Sequence, residues 1–185
     1  QGVLPLFGAA RGNSAMMLIA PAAAISVALA VAFSFGALVW GFITSDFSLA
    51  LVANHSHSTK PMIYKISGTW GNHEGSLLLW ILILAIYGGV LALGGSAMPM
   101  ALKARILAVQ GMVTTGFLAF SLFTSNPFLR LANIPLDGKG LNPILQDPGL
   151  AIHPPMLYLG YVGLSMAFAF AVAALITGEV DRLWA

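Results

Sequence analysis

The stretch Gly75-Ser76-Leu77-Leu78-Leu79-Trp80-Ile81-Leu82-Ile83-Leu84-Ala85-Ile86-Tyr87-Gly88-Gly89-Val90-Leu91-Ala92-Leu93 contains no charged residue, and the chain stays uncharged to Leu102. An α-helix needs ~20 apolar residues to cross ~30 Å of hydrocarbon, and this run exceeds that length. Outward from it, Gly12 to Ser45, Ile106 to Leu129 and Pro148 to Gly178 are equally free of charge. The sequence therefore reads as four complete membrane spans. Gln1 to Ala10 lacks the basic start and the apolar length of a signal peptide, and is read as the end of an earlier span.

Composition supports this. Apolar residues make up 58% of the 185 and charged residues only 8%, against roughly 25% charged in a soluble domain. The charges cluster between the uncharged runs, at Arg11, Asp46 to Glu74, Lys103 to Arg105, Arg130 to Asp147, and Glu179 to Arg182. A net charge of +2, scattered in this way, is no footprint for nucleic acid. The absence of cysteine excludes disulfides, thiolate metal sites, covalent haem attachment and redox dithiols within this chain.

Turn chemistry trims the spans to about 15–45, 76–98, 104–125 and 155–177. Pro21 is tolerable in a first turn; Gly94-Gly95 with Pro99 closes the second span, Asn126-Pro127 ends the third, and Pro154-Pro155 opens the fourth. The fold class is all-α, a polytopic transmembrane bundle with two ordered loops, 46–75 and 126–154, on one face. Short basic loops around Arg11, Lys103, Arg105 and Arg182 place the opposite face in the cytoplasm by the positive-inside rule. His55, His57, His73 and His153 then all lie on the outer face.

His55-Ser56-His57 is a His-x-His pair without the closed ligand set of a zinc centre. Trp70 suits a lipid-headgroup anchor, and Glu74 suits the positive end of the helix it opens. In the second loop the proline after His153 biases that residue out of the α region, making it the last extended residue before the helix. Its imidazole is then able either to ligate haem iron at the membrane boundary or to cap the helix and anchor the loop.

Two motifs carry a resemblance: Trp70-Gly71-Asn72-His73-Glu74-Gly75-Ser76-Leu77-Leu78-Leu79-Trp80, and Gly140 to Tyr161 with Gln146-Asp147-Pro148-Gly149-Leu150-Ala151-Ile152-His153-Pro154-Pro155 at its centre. Both resemble the N-terminal portion of the CcmF family, the haem lyase subunits of cytochrome c maturation. The likeness extends to Leu4 to Gly12 and along nearly the whole chain.

This resemblance implies a protein that receives b-type haem, its substrate, and helps join the haem vinyl groups to the two thiols of a Cys-x-x-Cys-His apocytochrome c. It implies His153 as an axial ligand of that haem on the outer face. Trp70, His73 and Glu74 fit the family's motif with no assigned chemistry to carry over and are kept as candidate support for the haem face, with no metal expected beyond the haem iron at His153. The family's tryptophan-rich segment, second outer histidine and resident-haem ligands would follow Ala185. No residue of this stretch is expected to act as catalyst, because position and axial ligation are what such an enzyme supplies. Expected partners are a CcmE-like haem chaperone, apocytochrome c, other maturation subunits of CcmH/CcmI type and the lipid bilayer. Expected locations are the bacterial inner membrane with periplasmic loops, or the mitochondrial inner membrane in a plant. The competing classes are a transporter, which would carry ionisable groups at mid-membrane, and a purely structural subunit that docks partner proteins.

Overall fold

The computed structural model describes residues 1–94 and 98–178. The expected end of the second span at Met98 abuts residues outside this set, and Glu179, Asp181 and Arg182 lie beyond it. Every regular element among the described residues is helical: α1 (Val3–Arg11), α2 (Ser14–Thr44), α3 (Ala50–His55), α4 (Met62–Gly68), α5 (His73–Leu93), α6 (Met100–Thr124), α7 (Pro148–Val162) and α8 (Leu164–Thr177). Four helical segments are long and apolar enough to span a membrane: α2, α5, α6 and the continuous α7–α8 stretch Pro148–Thr177. They leave large apolar side chains uncovered, Phe33 and Phe123 each 81% exposed. Lipid tails solvate such a surface at no cost, whereas water would not.

The chain divides into two compact units. One comprises Gln1–Ala30, Leu82–Phe117 and from Gly160 onward. Small residues let its helices approach: Ala9, Ala20, Ala24, Ala92 and Ala104 pack around Leu107, while Ile106 and Val109 meet Ala169 and Ala173. Gln110 is 1% exposed and donates to the Leu84 carbonyl (3.2 Å) and the Ser165 hydroxyl (3.1 Å). Lys103 caps the carboxyl end of α5 through the Ala92 and Gly94 carbonyls (2.8 and 2.6 Å).

The other unit comprises Val31–Ile81 and Leu118–Leu159. Its core is built on Leu38, Phe42, Val52 and Ile81, all fully buried. α2 ends at Ser45, a non-glycine residue in the left-handed conformation (φ 57°). The Asp46 amide bonds the Gly41 carbonyl and the Ser45 amide that of Phe42, the two bonds of a Schellman motif. Lys65 donates to the Ser45 hydroxyl (2.8 Å) and steadies that corner.

Several expectations move. α5 begins at His73 instead of 76, because Asn72 caps it: Oδ1 accepts from the Gly75 amide (2.7 Å) and its Nδ2 bonds the Gly68 carbonyl (2.7 Å). α6 starts at Met100 instead of 104, so Lys103 and Arg105 are helical. The loop 46–75 is largely structured, by α3 and α4.

The fourth span begins at Pro148 instead of 155, and His153 is helical instead of extended. Asp147 is the helix start: its carboxylate accepts from the Leu150 amide (3.1 Å) and its carbonyl from that of Ala151 (2.9 Å). Pro148 occupies the first helical position, where its fixed φ and missing N–H cost nothing. The cap overrides the local bias that Pro154 places on His153.

Candidate functional site

The site is assembled within the second unit from the two long loops and the helix ends they join. The segments clip together by backbone pairing: Leu131 N–H to the Ser48 carbonyl, Ala50 N–H to Leu129, Lys139 N–H to Ala53, and Gly140 N–H to Ser56. Asp137 fastens the same seam. Its carboxylate accepts from the Ser58 hydroxyl (2.5 Å), the Ser58 amide (2.9 Å) and the Gly138 amide (2.7 Å), and His57 Nε2 lies 3.4 Å away. The Ser58 bonds lead in holding the Asp137 carboxyl down from 3.8 to about 2.

Lys60 is 8% exposed and donates to the His55 carbonyl (2.8 Å). Burial first, then the neighbouring Lys65 charge, lowers its amine to about 8. The His-x-His pair does not converge. His55 Nδ1 bonds the Leu51 carbonyl (3.0 Å), whereas His57 Nδ1 is paired with the Thr59 hydroxyl (3.0 Å).

Trp70 is not spent as a lone headgroup anchor. Its ring stacks on Phe35 (centroids 6.4 Å apart, interplanar angle 18°), and its indole N–H donates to the Ala151 carbonyl (2.8 Å). α4 and the cap at Asn72 carry Trp70 to this point. Gly71 permits close approach, since a Cβ there would press on Leu141 Cδ1 at 3.1 Å. The ring borders two apolar recesses on α7. One, of about 260 Å³, is lined by Ile63, Ile66, Ala151, Ile152 and Pro155; the other, of about 130 Å³, by Leu141, Leu145, Leu150 and Pro154.

His153 occupies the far side of α7 from this support. At about 100° per residue, Gly149, Met156 and Leu157 share its face, while Ala151 and Pro155 lie opposite. His153 and Gly149 are exposed, as are Met156 (62%) and Leu157 (47%). The imidazole has no hydrogen-bond partner among the described residues, so it caps nothing there. The result is a free imidazole on an exposed apolar ridge, with its helix braced from behind by Trp70.

His73 opens α5, and its Nε2 is 3.0 Å from the Ser125 hydroxyl. Glu74 lies in the first turn of α5, where the helix dipole favours it. The structure thus connects Trp70 with the His153 helix and sets His73 on a separate link to the end of α6. Sequence reading missed the Ala151 carbonyl, the Asp137 clip and the buried Lys60.

Fold and site define a multi-pass helical membrane protein whose exposed His153 lies on α7, beside an ordered cluster of two long loops. Residues 70–182 match the family described as cytochrome C assembly protein, and the chain belongs to that family. It is 60% identical over 185 residues to the Rhodobacter capsulatus cytochrome c-type biogenesis protein ccl1, covering all of this chain and 28% of that protein. It is 48% identical over 184 residues to the Escherichia coli cytochrome c-type biogenesis protein CcmF, covering 99% and 28% respectively. A solved structure of the cytochrome c heme lyase CcmF superposes with a TM-score of 0.82 at 31% identity, over 98% of this chain and 28% of that one. The chain thus spans about 28% of the length of these relatives. The likeness to CcmF extends along nearly the whole chain, as its motifs implied.

Proposed function

We propose that this chain forms part of a cytochrome c haem lyase, in which His153 is one axial ligand of the haem to be attached. The observation that carries the reading is the exposed imidazole, free of any partner among the described residues, on the apolar ridge of Gly149, Met156 and Leu157. A porphyrin laid along that ridge covers apolar surface while its iron takes the histidine nitrogen.

Haem here is substrate, delivered by a chaperone and passed to apocytochrome c. Each cysteine thiol adds across a vinyl double bond, sulfur to one carbon and hydrogen to the other, so the addition requires no net oxidant. The chain's own contribution is orientation: a rigid α7, with Trp70, His73 and Glu74 supporting the haem-side loops. The loops face the periplasm of an inner membrane in this reading, and the second axial ligand and any resident haem belong to the remainder of the complete protein. Other maturation subunits complete the assembly.

The test is His153→Ala in the complete protein, with copurifying haem and c-type cytochrome yield measured at matched protein abundance. Both fall if His153 is a ligand. If both persist at normal abundance, the haem site lies elsewhere.

A further inference from the structure

A helix carbonyl at position i accepts from the amide of residue i+4. Proline has no amide hydrogen, so Pro155 cannot serve the carbonyl of Ala151, and a buried carbonyl left without a donor is destabilising. Ala151 is 5% exposed, which leaves water little access. The bond is supplied instead from outside the helix: the Trp70 indole N–H donates to the Ala151 carbonyl at 2.8 Å. Trp70 arrives already oriented, its ring stacked on Phe35 and its backbone amide bonded to the Ser67 carbonyl (3.2 Å).

We infer that Trp70 is a positioning residue for His153, its indole N–H replacing the helix hydrogen bond that Pro155 removes and so fixing the turn of α7 that aims the imidazole. The inference rests on the proposal that His153 ligates haem, and concerns how that ligand is held. Ala151 and Pro155 lie on the braced side of α7 and His153 on the free side, so the bond constrains the ligand without touching the haem. A proline pair beside a ligand would otherwise leave a soft turn where a fixed one is needed.

The test uses the complete protein in membranes. Trp70→Phe keeps a stacking ring and loses the N–H. Pro155→Ala restores an amide to the Ala151 carbonyl, and should make the indole N–H dispensable. Haem retained by the purified protein, the electron paramagnetic resonance spectrum of the ferric haem, and hydrogen–deuterium exchange of α7 amides are read together.

The expected result is a roughly five- to tenfold weaker haem retention in Trp70→Phe, with broadened resonance lines and faster exchange in α7. Pro155→Ala alone should remain within about twofold of the parent, and the double variant should return to that level on all three readouts. A Trp70→Phe protein that matches the parent, or one that Pro155→Ala fails to rescue while haem still depends on His153, overturns the inference. If haem retention is indifferent to His153→Ala, the ligand proposal itself falls, and that outcome is separable because exchange in α7 is read without haem.

Discussion

Gly75→Ala should be among the most damaging single-methyl additions in this chain. A Cβ at Gly75 would sit on the carbonyl oxygen of Thr69, closer than any real side chain approaches. Thr69 is fully buried and cannot move into solvent. Relief requires α5 to shift away from the preceding turn, which breaks the Gly75 amide to Asn72 Oδ1 cap (2.7 Å) and strains the Asn72 amide bond to the Gly68 carbonyl (2.7 Å). The lost cap costs about 1 kcal/mol and overpacking typically 1–3, giving roughly 2–4 kcal/mol in all. That loss lowers the unfolding midpoint. Gly116→Ala is the matched control: the same methyl meets nothing within 4 Å in mid-α6, and should be neutral or stabilising by up to ~1 kcal/mol. Thermal unfolding of the purified protein in detergent, followed by size-exclusion chromatography of the surviving fraction, reads both. Equal midpoints for the two variants would refute the crowding argument.

Other consequences are equally open to measurement. Asp137 has a folded-state carboxyl held near 2, below its ordinary 3.8, so its contribution is complete above about pH 4 and is lost as pH falls toward 2; Asp137→Asn should speed proteolysis of the two loops at neutral pH and abolish their acid-dependent loosening. Lys60 is the opposite case, its amine lowered from 10.5 to about 8. The unfolded chain holds that proton longer, so stability should rise as pH climbs from 8 to 10.5. Unfolding midpoints of the parent and Lys60→Met at pH 8 and 10 check this, with the rise confined to the parent.

The spans were readable because hydrophobic length is a one-dimensional property of sequence, and charge-free runs such as Gly75 to Leu102 report it directly. Helix ends were harder. Asn72 and Asp147 are capping residues by type, yet each lies in a stretch also rich in turn formers, and at Asp147 the nearer proline signal pointed to the wrong boundary. His153 was singled out by the motif around it, and its conformation was misjudged, since a cap six residues upstream outweighs the local effect of Pro154. The bond from Trp70 to α7 was not readable from the sequence. Pro155 foretells a free carbonyl at Ala151 by simple counting, but the donor that meets it is 81 positions away in sequence. The Asp137 clip to Ser58, at a separation of 79, was hidden for the same reason.

The central claim is that His153 donates a nitrogen to haem iron, and chemical rescue tests it most directly. In the complete protein, His153→Gly should lose haem, and added imidazole should restore both the bound-haem absorption spectrum and part of the cytochrome c yield, at unchanged protein abundance. A His153→Gly protein that keeps its haem without imidazole, or whose loss imidazole does not reverse, would contradict the account.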